Sequence, residues 1–270
     1  MIIIPAPPDI AFNLFSIPIY WYGIIMAFAI FVAITVSNYL FNKINKNMHK
    51  DTIIEYAPLL IIFGILGARL YFCILNAHYY FSHPLQILDI RQGGLSIHGA
   101  IIGGILTLYF ISKKVKIPFL NILDIISCSV ALGQSIGRWG NYFNSEAYGL
   151  PVLSQKWGLF IPQARRATQY ADFSLFHPAF LYESILDFCA FIILLFLLKI
   201  CHKKYQGLTF FAYLTLYSVI RFFIERIRVD SAFNVGIFPI AEVVSCVIFI
   251  IGLIGITVII LKNNISNSKE

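Results

Sequence analysis

Seven apolar runs, each about twenty residues long, constrain this chain more than any other feature. They cover approximately residues 17–42, 52–75, 94–112, 118–138, 178–200, 207–228 and 238–261. A helix of that length crosses the hydrocarbon core of a bilayer, about 30 Å thick. A helix is also the form that satisfies every backbone group within one such segment. The composition agrees: 59% of residues are hydrophobic and 12% are charged, whereas soluble domains carry about 25% charged residues. The sequence therefore predicts an all-α polytopic membrane protein with seven transmembrane helices, residues 1–270 forming one integral membrane domain. Pro5 to Phe15 is too short to span and too rich in proline for a regular helix, and the membrane interface is a place open to it. Met1 to Ile10 has no basic residue, so it does not read as a cleavable signal peptide.

Lysine gives the orientation. Lys43, Lys46 and Lys50 follow the first run, Lys113, Lys114 and Lys116 the third, Lys199, Lys203 and Lys204 the fifth, and Lys262 and Lys269 the seventh. The positive-inside rule puts all four clusters in the cytoplasm. The N-terminus is then outside and the C-terminus cytoplasmic, as an odd number of spans requires. The net charge of +7 is too dispersed among apolar runs for a nucleic-acid surface, so no nucleic-acid partner is expected. Eleven of the twelve lysines fall on the cytoplasmic side, but all eight arginines (69, 91, 138, 165, 166, 221, 226 and 228) fall elsewhere. A guanidinium fork suits bidentate phosphate binding, and lysine acts as a point charge. Lysine thus sets topology, which leaves arginine for pairing or chemistry.

Two outer segments are long enough to matter. Residues 76–92 form an aromatic arm with His78 and His83. Residues 141–177 form either a small head between spans four and five or a solvated loop. The head contains Gln163-Ala164-Arg165-Arg166, a basic run within reach of anionic headgroups. Small residues mark close helix contacts: Gly64 with Ala68, Gly99 with Gly103, and Gly133 with Gly137 and Gly140. The five cysteines form no C-x-x-C pair and read as small buried hydrophobes. The six histidines lack metal-binding spacing, so no metal site is expected.

Polar residues inside a membrane face a cavity or each other. At a helical rise of about 1.5 Å per residue, His98 and Glu183 lie about 8 Å in from the outer surface. Arg138 lies about 30 Å along the fourth span, and Arg221 about 20 Å up the sixth. Tyr22 sits one turn below the outer start of the first span. Five spans thus place polar residues in one outer layer, which predicts a polar chamber open to the outer leaflet. A transporter with a midplane site would instead need broken helices at the centre and an internal repeat. Arg221, Glu225 and Arg228 share a helix face, where Glu225 is equally readable as a structural ion-pair partner. Asp124 is deeper and reads as structural. Arg69 reads as either paired or lining the chamber. His98 reads as either a hydrogen-bonded contact between helices or a reactive group: it is flanked by Gly99, so its ring is reachable, and its imidazole can take a proton near neutral pH.

Five stretches taken together resemble the bacterial phosphatidylglycerol–prolipoprotein diacylglyceryl transferase family. They are Tyr20-Trp21-Tyr22-Gly23, Gly93 through Gly99, Gly137-Arg138-Trp139-Gly140-Asn141 through Gly149, His177-Pro178 through Tyr182-Glu183, and Arg221-Phe222-Phe223-Ile224-Glu225 through Arg228. The resemblance implies a seven-span fold with a periplasmic head, in the bacterial inner membrane, with its active site toward the periplasm. It implies transfer of diacylglycerol from phosphatidylglycerol to the lipobox cysteine of a preprolipoprotein, giving a thioether and releasing glycerol phosphate. No metal or organic cofactor is implied. It implies catalytic roles for His98, Arg138 and Arg221, and phosphatidylglycerol-binding roles for Arg138, Asn141, Tyr22, Glu146 and Arg221. Glu146 is expected to hold an arginine or the head in place. The sequence departs from the family pattern at Tyr142, where phenylalanine is usual, at Arg226, where an aromatic is common, and at Glu242, often a glutamine. The roles of Arg69, Glu183, Glu225, Arg228 and Glu242 stay open at this level.

Overall fold

The computed structural model describes residues 2–90, 93–229, 234–235 and 238–267. Arg91, Gln92 and Lys269, which entered the readings of charge and of the outer arm, lie outside the described residues. Eight α-helices are present among the described residues: α1 Trp21–Ile44, α2 Thr52–Leu75, α3 Ala77–Ser82, α4 Ile97–Lys114, α5 Phe119–Asn144, α6 Ala179–Cys201, α7 Leu208–Ile227 and α8 Ile240–Asn267. Six of them, α1, α2, α5, α6, α7 and α8, are long and apolar enough to cross a membrane. The third expected span is α4, whose 18 residues include His98 near one end and Lys113 and Lys114 at the other. Those polar residues lower its apolar content below that of the six.

The protein is mostly helical but adds short strands that apolar periodicity did not reveal. They are β1 Ile2–Ile4, β2 Ile10–Leu14, β3 Ile17–Tyr20, β4 Trp157–Phe160, β5 Leu175–Phe176, β6 Asn234–Val235 and β7 Phe238–Pro239. Residues 17–20, assigned from sequence to the first span, pair with β2 in an antiparallel hairpin. Pro18 fits this arrangement, because proline inside a helix removes a hydrogen bond and clashes with the preceding turn. Phe15 and Ser16, at the tip, both have positive φ, the geometry of a two-residue hairpin turn. The helix therefore starts only at Trp21, whose N–H donates to the Asp9 carbonyl at 3.0 Å.

Two compact units divide the chain, residues 37–123 and residues 1–36 with 124–270. In the first, α2 and α4 meet backbone to backbone. A Cβ at Gly67, Gly99 or Gly103 would run into main-chain atoms of the facing helix, so only glycine permits this approach. Gly64, expected in this contact, has open space beside it, and Gly67 takes its place. Beyond α2 the chain turns through α3 and a 3-10 turn at Pro84–Leu88.

In the second unit, α5 runs six residues past its expected end at 138. It therefore carries Arg138, Asn141 and Asn144 on regular helix. Asp124 caps α7 from a neighbouring helix: its carboxylate accepts from the N–H of Gly207 at 2.6 Å and of Phe210 at 2.8 Å. Helix N-termini leave such donors without intrahelical partners, so the structural reading of Asp124 has a concrete basis. Residues 145–177 leave the helix and fold into a small body. There β4 pairs parallel to β1 and antiparallel to β5. Tyr148, Leu159, Ile161, Phe176 and Phe180 form a buried core beneath this sheet.

Candidate active site

The site is built where α5, α6 and α7 come together. Arg138 on α5 places Nη2 2.8 Å from Oε1 of Glu183 on α6. Arg221 on α7 places Nη1 3.7 Å from the same oxygen. The second oxygen of Arg221's other neighbour, Glu225, lies 2.5 Å from Arg221 Nη2, one helical turn along. Asp187 Oδ2 completes the cluster at 3.9 Å from Arg138 Nε. Two guanidinium groups and three carboxylates thus share one small volume. The Glu183 side chain is only 2% exposed, and the arginines keep 21% (Arg138) and 16% (Arg221).

Some polar atoms of the cluster lack protein partners. Arg138 Nε, Arg221 Nη1 and Asp187 Oδ2 are buried without a hydrogen-bond partner among the described residues. At 3.7 and 3.9 Å the longer ion pairs attract but do not bond. A buried unpaired polar group costs about 1–3 kcal/mol, more when charged. Each arginine therefore holds one donor that its protein neighbours leave unsatisfied. An anion with several oxygens would satisfy both.

The exit of α5 fixes this geometry. Ser145 and Ala147 both take positive φ, a left-handed conformation uncommon for non-glycine residues, and they turn the chain sharply. Glu146 then faces back along the helix, and its Oε1 accepts from Nδ2 of Asn141 at 2.9 Å and of Asn144 at 3.3 Å. Of the two expected roles, holding an arginine or holding the head in place, the contacts of Glu146 are with amides at the exit of α5 and not with an arginine. Just beyond, the Gly149 N–H donates to the His177 carbonyl at 2.8 Å and the Leu150 N–H to the Ile227 carbonyl at 2.7 Å. A Cβ at Gly149 would strike His177 and crowd the Ile227 carbonyl. One glycine-dependent crossing therefore ties the end of α5 to the start of α6 and the end of α7. Reciprocal bonds between Ser135 and Ser184 fasten α5 to α6 below the cluster, each hydroxyl donating to the other's carbonyl at 2.8 Å.

Tyr22, on the first turn of α1, packs its ring against Gly140, where a Cβ would collide with it. It also lines a cleft of about 440 Å³ with Asp9, Tyr20, Asn144 and Arg165. Arg138 and Arg221 thus come together, as do Asn141 and Glu146, and Tyr22 of α1 packs on Gly140 of α5, the helix that carries Arg138 and Asn141. His98 belongs to the 37–123 unit, where it is exposed on the first turn of α4 with its ring 5.9 Å from that of Tyr71.

Arg69 resolves as a structural residue. It is buried, and its guanidinium makes five hydrogen bonds, to the carbonyls of Gln86, Ile87, Asp89, Gly93 and Gly94. All five of its N–H donors are thereby used. In the basic run of the head, Arg166 donates to the Ile161 and Ala171 carbonyls and Arg165 pairs with Asp9 at 3.3 Å. The residue that sequence reasoning left open and the fold makes central is Glu183, which both site arginines face. Its signal was a carboxylate one turn inside an apolar helix, a position too costly to occupy without a partner.

The family described as prolipoprotein diacylglyceryl transferase matches residues 9–258. Among curated relatives, the phosphatidylglycerol–prolipoprotein diacylglyceryl transferase of Acaryochloris marina (strain MBIC 11017) is 40% identical over 264 residues, covering 97% of this chain and 94% of its own. That of Clostridium novyi (strain NT) is 40% identical over 260 residues, covering 96% and 97%. That of Parasynechococcus marenigrum (strain WH8102) is 38% identical over 263 residues, covering 93% of each.

Proposed function

This chain belongs to the prolipoprotein diacylglyceryl transferase family, and from that premise we infer that it moves the diacylglyceryl group of phosphatidylglycerol onto the lipobox cysteine of a preprolipoprotein. The reaction is a step of lipoprotein maturation in the bacterial inner membrane. The cysteine sulfur attacks the glycerol CH2 bonded to the phosphate oxygen. A C–S bond forms, the C–O bond breaks, and its electron pair leaves with glycerol phosphate. The thiol proton goes to a base, either His98 or another group.

The single observation that carries this reading is the pair of unsatisfied guanidinium donors, Arg138 Nε and Arg221 Nη1, above a shared Glu183. Negative charge builds on the phosphate as the C–O bond breaks. Fixed donors aimed at that charge lower the barrier, and they act strongly in a dry site. Glu183 keeps the guanidinium pair in place while the site is empty, because two cations side by side would otherwise repel. Asn141, oriented by Glu146, and Tyr22 donate to lipid oxygens.

The proposal includes seven spans, with α4 crossing as the third. Lysines at the last turns of α1, α4 and α6 support it, because those turns then all face the cytoplasm. The N-terminus, the 76–92 arm, the 141–177 head and the arginine cluster then face the periplasm. The test is direct. Purified protein, phosphatidylglycerol and a lipobox peptide should yield a peptide heavier by one diacylglyceryl group, with equimolar glycerol phosphate. A Cys-to-Ser peptide should stay unmodified. His98→Asn should slow transfer severely, and full activity in that variant would remove His98 from the mechanism.

A further inference from the structure

A second lipid-shaped feature lies outside the arginine cluster, between α7 and α8. A groove of about 370 Å³ is lined by Ser218, Val219, Phe222, Phe223, Cys246 and Phe249, among others. Its wall is apolar because the two serine hydroxyls beside it are satisfied within their own helices, Ser218 to the Thr215 carbonyl and Ser245 to the Ala241 carbonyl. At its inner end the helices close on each other, where a Cβ at Gly252 or Gly255 would collide with Thr215 or Phe211.

At its other end stands a charge. Arg226 stacks over the Phe222 ring at 4.5 Å, and Phe222 is itself part of the groove wall. Arg226 Nε lies 3.4 Å from Oε1 of Glu242, and the Arg226 side chain is 55% exposed while that of Glu242 is 9%. The buried carboxylate anchors the cation, and the ring beneath holds its plane. Arg226 and Glu242, the two charged departures from the family pattern, are therefore partners. From Glu242 to Ile250, the deepest residue on α8 in this groove, a rise of about 1.5 Å per residue gives roughly 12 Å. Half of a hydrocarbon core about 30 Å thick is about 15 Å. The groove is therefore about one leaflet deep, with a cation at the headgroup end and apolar walls open to lipid below.

We propose that the α7–α8 groove beneath Arg226 is a binding site for one anionic phospholipid of the leaflet, its phosphate on the guanidinium and one acyl chain along Phe222, Cys246 and Phe249. This site is separate from the Arg138–Glu183–Arg221 cluster and does not depend on the transfer reaction. It holds anionic lipid on the same helix that carries Arg221.

The test uses full-length protein in nanodiscs of phosphatidylcholine, doped with a phosphatidylglycerol or a phosphatidylcholine that bears a photoactivatable acyl chain. Adducts are mapped by peptide mass spectrometry. Adducts on residues 218–223 and 245–250 should be at least threefold more abundant with the anionic probe. Arg226→Gln should reduce that ratio to about one. Because loss of the cation orphans Glu242, the double variant Arg226→Gln with Glu242→Gln keeps a neutral pair and should show the same loss in a folded protein. Cys246→Trp, which fills the groove, should lower adducts from both probes. Repeating the measurement in Arg138→Ala separates the site from catalysis, since adducts there should persist without transfer. Equal labelling by the two probes in the wild type, or an anionic preference that survives in the double variant, would overturn the proposal.

Discussion

Arg69 and the Arg138–Arg221 pair are all arginines set into apolar helices, yet they are solved in opposite ways. Arg69 spends every donor on main-chain carbonyls of the segment that follows α2. Its partners are fixed dipoles that no ligand displaces. Arg138 and Arg221 lean on shared carboxylates at 2.8 to 3.7 Å and each keep a donor unsatisfied. Burial alone does not separate an arginine whose donors are all used from one that keeps a donor for a ligand. The count of satisfied donors does, because a guanidinium with all five used has nothing to offer a phosphate.

The largest effect expected from this contrast is at the incomplete pair. Arg138→Ala should reduce transfer at least a hundredfold, in line with the roughly 3–4 kcal/mol lost with one such donor, while the protein stays monodisperse in detergent. A wild-type rate in Arg138→Ala at equal expression would break the contrast outright. Arg69→Ala should act on stability instead. It strips five carbonyls of their donor, and hydrogen bonds to a charged group contribute about 1.5–3 kcal/mol each. A lowered unfolding temperature and faster proteolysis within residues 76–94 are the expected readouts. An unchanged melting curve with lost transfer would move Arg69 into the site.

Smaller effects follow from neighbours of each. Gly94 has φ +75, and a Cβ there would lie 2.5 Å from Arg69 Nη1. Gly94→Ala should therefore destabilise by about 1–3 kcal/mol, mimicking Arg69→Ala in the same melting and proteolysis assays. Glu146→Ala releases Asn141 and should slow transfer about tenfold, the order expected for a hydrogen bond to a charged group. Glu146→Gln keeps an acceptor oxygen and should recover most of that rate. Arg165→Ala, which breaks an exposed pair with Asp9, should change both stability and rate least, by under about 1 kcal/mol.

The helices were legible because twenty apolar residues have few other fates in water or lipid. The ends of α2, α6 and α7 fall within a residue of their expected places. The first span was less legible. Its leading residues Ile17 to Tyr20 are apolar enough for a helix, but a hairpin turn at Phe15 and Ser16 claims them as strand. Likewise the fourth apolar run ends at 138, whereas α5 stays helical to Asn144, with the Tyr22 ring packed on Gly140.

By itself the sequence determined that this is a multi-helix membrane protein, and it put Arg138 and Arg221 toward the outer ends of their apolar runs. Those follow from period, run length and the cost of charge in lipid, which are properties of a chain read one segment at a time; the catalytic expectation for both arginines came from the family resemblance. Only the tertiary structure decided that both arginines turn to one carboxylate, Glu183, and that Arg69 is used up by carbonyls. Donors and acceptors brought together across 17 to 25 residues, or from separate helices, have no local pattern to betray them. Which partner each donor finds is fixed by how the helices pack.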